Sequence, residues 1–161
     1  MLRALKKLFP TDQGSGATDR SLELAMAALL VRASVIDQDP APEEARRIEA
    51  LLAERFELSR EAVEALMQEA REEEAEAVDL YRFTRVVTEN LDQEGRKSLV
   101  EMLWDVVLAD GRVDPFEENL VWRVAELIGV STRDRVTLRK AVEQRLATSG
   151  DAAARPENGA M

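Results

Sequence analysis

The chain has 161 residues, 32 acidic against 22 basic, a formal net charge of −10, and neither cysteine nor histidine. That length suits one domain with a sizeable core. The charge disfavours nucleic-acid binding, which needs a basic face, and the missing Cys and His exclude disulfides, thiolate or imidazole metal sites, cysteine nucleophiles and His-based triads.

Met1–Phe9 is a short basic amphipathic segment, with Leu2, Leu5, Leu8 and Phe9 on one helical face and Arg3, Lys6 and Lys7 elsewhere. It lacks the long apolar stretch and cleavage site of a secretory signal. No apolar run approaches the roughly 20 residues of a transmembrane helix. The expected location is the cytoplasm, with weak contact of residues 1–9 to the inner membrane face as a further option. Pro10–Ala17, with Gly14 and Gly16, reads as a linker, so that residues 1–17 precede a helical domain over 18–147.

Apolar spacing then predicts helices in succession. The first spans about Ser21–Ile36 and the second starts at Pro42 with Ile48, Leu51, Leu52 and Phe56 inward. Ser59 caps a third carrying Val63, Leu66 and Met67, which continues into an acidic stretch. Glu61–Glu76 holds seven Glu against one Arg and reads as a solvated face. Asp79 caps a helix with Leu80, Phe83, Val86, Val87 and Leu91; Asp92 caps one with Leu99, Met102, Leu103, Val106 and Val107. Asp114-Pro115-Phe116-Glu117 reads as a capping box that opens a helix ended by Gly129. Ser131 caps the last, with Val136, Leu138, Val142 and Leu146 inward, and residues 148–161 read as a disordered tail. No window alternates like a strand. The expected fold is all-α, a single domain of about seven helices.

A pattern recurs within it. Asp37 laid on Asp110 also lays Leu30 on Leu103, Glu44 on Glu117, Ile48 on Val121 and Leu51 on Val124; after one skipped residue Ala53-Glu54 meets Ala125-Glu126 and Ser59 meets Ser131. The spacing is too long for a solenoid. Two helical halves packed around one core are expected.

In each half an apolar helix ends in an aspartate, a turn carries a second acid, and a glutamate opens the next helix. Asp110 stands at a helix carboxyl end, where a carboxylate is disfavoured by about 0.3–1 kcal/mol unless compensated. A cation would compensate it. The candidate ligands are Asp110, Asp114 and Glu117 at one corner and Asp37, Asp39 and either Glu43 or Glu44 at the other, Glu44 being the one that aligns with Glu117. Oxygen-only ligands select a divalent hard cation, Ca²⁺ first, then Mg²⁺ or Mn²⁺. The competing account makes Asp114 and Glu117 simple helix caps. The spacing is not that of an EF-hand: the twelfth position from Asp110 is Val121, and from Asp37 it is Ile48.

Leu108-Ala109-Asp110-Gly111, then Glu117, then Leu127-Ile128-Gly129-Val130-Ser131 resemble the signature of the TerB-like family, named for a bacterial tellurite-resistance protein. Related domains stand at the N-terminus of some membrane-anchored DnaJ-type co-chaperones. The resemblance covers about Ser21–Leu146, and the first half departs from the signature at Gln38. It implies an all-helical fold with pseudo-twofold halves, acidic sites for divalent metal, and a place in stress-response or membrane-linked complexes. With no thiol, the chain cannot reduce tellurite or bind it through sulfur.

Three function classes follow. The first is a non-enzymatic module that binds a divalent cation at the acidic corners and serves an unidentified protein partner. The second is a metal-free interaction scaffold whose corners are caps. The third, a carboxylate-metal hydrolase, needs metals about 3.5–4 Å apart, which would require the two corners to meet.

Overall fold

The computed structural model describes residues 13–35, 42–77, 79–109 and 113–154, with side chains over 20–34, 44–77, 79–109 and 113–148. These form seven helices: α1 (Gln13–Val35), α2 (Pro42–Phe56), α3 (Arg60–Glu76), α4 (Tyr81–Asn90), α5 (Gln93–Val107), α6 (Pro115–Leu127) and α7 (Thr132–Ala154). No strand occurs among the described residues, so the all-α expectation holds. The basic segment 1–9, Asp37, Asp39, Asp110 and Gly111 lie outside them.

The two central helices are α1 and α5. Residues 25–31, with Ala33 and Ser34, are buried in α1, and Leu99, Val100 and Met102–Val107 in α5. A helix apolar all round belongs in a core, and these two pack on each other and on their neighbours. The remaining helices are one-sided. In α2, Ile48, Leu52 and Phe56 face inward; in α3, Val63, Leu66, Met67 and Ala70; in α6, Leu120, Val121, Val124 and Ala125.

The repeat seen in the sequence is a repeat in space. Helix α1 packs on α2 and α3, and α2 on α3; α5 packs on α6 and α7, and α6 on α7. Across the halves, α1 meets α5 and α6, and α5 meets α2. Leu30 and Leu103, aligned by the repeat, are both fully buried. Helix α4 joins the halves and packs mainly on α1.

The ends of α2 and α6 match in detail. Leu58 N–H donates to Ala53 O at 3.1 Å, and Val130 N–H to Ala125 O at 2.8 Å. Both bonds are the long-reach pair of a Schellman ending, which places one residue in the left-handed region. That residue is Gly129 (φ 77°) in the second half and Glu57 (φ 53°) in the first.

Caps act largely where the sequence placed them. Ser59 Oγ accepts from Ala62 N–H at 3.2 Å, Asp92 Oδ1 from Gly95 N–H at 2.9 Å, and Ser131 Oγ from Asp134 N–H at 3.1 Å. Asp79 works from one residue further out: Leu80 is the N-cap, and Asp79 Oδ1 accepts from Tyr81 N–H at 3.0 Å.

Three readings need revision. Helix α1 begins at Gln13, inside the stretch read as linker, because a helix held by a buried middle extends cheaply into polar residues. Helix α7 runs to Ala154, past Thr148 and through Gly150, and closes on three alanines, the best helix formers. Val136, expected inward, is 41 % exposed while its neighbour Arg135 is 3 % exposed. The Arg135 guanidinium lies 3.8 Å above the Trp122 ring, so stacking, not aliphatic burial, sets the register of this turn.

Candidate functional site

Helices α2 and α6 both open on a proline, Pro42 and Pro115, and both carry a glutamate at the third position, Glu44 and Glu117. Proline fixes the first helical turn without losing a needed N–H. Glu44 is 4 % exposed and Glu117 2 %. Carboxylates are rarely so buried without compensation, and the positive end of the helix dipole supplies part of it. The same acid is buried at the same helical position in both halves.

Asp114 is the N-cap of α6. Its Oδ1 accepts from Phe116 N–H at 2.8 Å. The next acid, Glu118, turns to α7, where its carboxylate accepts from Arg139 at 2.8 Å. Of the six acids expected at the corners, the structure thus places Asp114 and Glu117 on the first turn of α6 and Glu44 on that of α2. Asp37, Asp39 and Asp110 fall outside the described residues, and among those described no group of three acids able to hold a metal forms. The donors present are oxygens alone, which fits a hard cation and excludes a soft one.

A second charged cluster was missed at the sequence level. Asp105, 2 % exposed in α5, accepts from Arg47 of α2 at 3.0 Å on Oδ1 and from Arg145 of α7 at 2.5 Å on Oδ2. Arg145 also reaches Glu101 at 3.0 Å. Burial opposes the Arg145 charge, but Asp105 and then Glu101 outweigh it and raise its pKa above the ordinary arginine value. The counterpart in the first half is reversed in sign: Arg32 of α1 donates to Glu74 of α3 at 2.8 Å. The acidic face of α3 is thus partly an internal latch, with Glu69 held by Arg20 at 3.0 Å and Glu73 by Arg82.

Beside Asp105, helices α2, α5 and α7 border an open cavity of about 550 Å³. Residues of both signs line it, together with Leu51 and Met102.

Arg96 ties the halves together. Its guanidinium donates to Leu91 O at 3.0 Å and Thr88 O at 2.8 Å, closing the end of α4, and to Ile128 O at 3.4 Å, beyond the end of α6. No described helix is long and apolar enough to cross a membrane.

Among known proteins, the family model described as "Tellurite resistance protein TerB" matches residues 23–140, from α1 into α7. Comparison with curated proteins and with solved structures yields no match. Covering well over half of the chain and both halves of the repeat, that match shows that the chain belongs to the TerB family.

Proposed function

We propose that this protein is a non-enzymatic TerB-family module that binds a divalent cation at its acidic helix–turn–helix corners. The observation that carries this reading is the paired burial of Glu44 and Glu117 at the third position of α2 and α6. Burying a carboxylate costs free energy, yet both halves keep one where a helix end meets the next helix start. Asp110, Asp114 and Glu117 are the ligands of the second site, and Asp37, Asp39 and Glu44 those of the first. Ca²⁺ suits the flexible oxygen set best, ahead of Mg²⁺ and Mn²⁺. A bound ion would clamp two successive helices and rigidify the face offered to a protein partner in a stress-response or membrane-associated complex. The test is thermal melting of chelator-treated protein with added Ca²⁺. A ligand at one hundred times its Kd stabilises the folded state by about 2.7 kcal/mol. Asp110→Asn should abolish the part of the shift that comes from the second corner.

One observation favours a second reading. Asp114 already caps α6 through Phe116 N–H, as a metal-free interaction scaffold would require. Under that reading Ca²⁺ leaves the melting temperature unchanged.

A further inference from the structure

The cavity between α2, α5 and α7 is lined by Arg47, Arg55 and Arg145 and by Glu54, Glu57, Glu101 and Asp105. Arg47 and Arg145 are committed to Asp105, and Arg145 also to Glu101. Among the described residues, that leaves Arg55 with no ion pair and with its Nε buried and unbonded. Glu54 and Glu57 also stand outside these pairs. That Nε–H is shut off from solvent, as is the Nε of Arg47, while the Arg55 side chain lines the cavity.

Glu57 carries a second, independent signal. It occupies the left-handed position that ends α2, with φ 53°, where the other half has Gly129 with φ 77°. Glycine adopts this conformation freely, whereas a side chain there is strained. Strain of this kind persists at functional sites. The two halves share the same hydrogen-bonded ending, so the backbone does not demand a glutamate. What distinguishes position 57 is that it lines the cavity.

The lining sets the ligand's charge. Three guanidiniums face four carboxylates, so a phosphate or dicarboxylate is repelled. We propose that this cavity binds a small zwitterion with a basic side chain, an amino acid of the lysine or arginine kind. Its carboxylate pairs with Arg55 and its side-chain cation with Glu57 and Glu54. The volume, about 550 Å³, lies in the range of small-molecule sites. None of the acidic-corner residues takes part, so this site is independent of the cation reading.

The test is calorimetric titration of the full chain with L-lysine and L-arginine, alongside L-glutamate and inorganic phosphate. Saturable binding of the basic amino acids alone is expected. Arg55→Gln should weaken it about tenfold or more, the loss of one charge-assisted contact. Glu57→Gly should weaken it similarly while raising the melting temperature by about 2–4 °C, through relief of strain. No saturable binding of either basic amino acid, binding of phosphate or glutamate in their place, or binding indifferent to both variants would overturn the proposal. An E57G protein that melts at or below the parent temperature would overturn it too, by making Glu57 a structural residue.

Discussion

Glu44 and Glu117 stand 73 residues apart in the chain and at one and the same position in the fold. Each is the third residue of a helix that opens on proline, and each is buried, at 4 % and 2 % exposure. Replacing either by Gln keeps the shape and removes the charge. Glu117→Gln should therefore abolish the Ca²⁺-induced rise in melting temperature from the second corner, and Glu44→Gln that from the first. Thermal melts with and without Ca²⁺ check this.

The repeat predicts matched energetics in the core. Leu30 and Leu103 are both fully buried at aligned positions of α1 and α5. Leu30→Ala and Leu103→Ala should each cost about 2–5 kcal/mol. The two losses should agree within about 1 kcal/mol in denaturant unfolding, since the spread at fixed chemistry reflects how each site collapses.

That symmetry was legible in the sequence because amphipathic spacing and caps are local. Ser59, Asp92 and Ser131 announce their helices within four residues, and each caps as expected. The burial of Glu44 and Glu117 was legible only as their alignment. The Arg47–Asp105–Arg145 cluster was not, because it joins residues 58 and 40 positions apart and such pairs leave no periodic trace. Asp105 in an apolar run was the one available signal, since a buried carboxylate needs a cation from elsewhere. Val136 misled for a related reason: the side chain that packs on α6 is the arginine beside it, held by Trp122.

Asp105 is 3 % exposed in its side chain, while its partners Arg47 and Arg145 are 37 % and 46 % exposed. Breaking a fully buried pair costs about 3–5 kcal/mol. Water reaches both guanidiniums here, so Asp105→Asn should cost less, about 2 kcal/mol. Urea unfolding at neutral pH reads this directly, and an unchanged midpoint would contradict the arrangement.

Gly129 and Arg96 secure the junction of the halves. Gly129→Ala forces a side chain into the left-handed region at φ 77° and should destabilise by about 1 kcal/mol. Arg96→Ala removes three charge-assisted bonds to carbonyls at the ends of α4 and α6. Its expected cost is about 2 kcal/mol or more, seen as a lower midpoint in the same unfolding assay.

The central claim is that the acidic corners hold a divalent cation. Isothermal calorimetry of the chelator-treated protein with Ca²⁺, Mg²⁺ and Mn²⁺ at moderate salt tests it most directly. Saturable binding at one or two sites, Ca²⁺ tightest and lost from the second corner in Asp110→Asn, is the predicted result. Flat titrations with all three ions would contradict it and leave Asp114 and Glu117 as the first turn of α6 and nothing more.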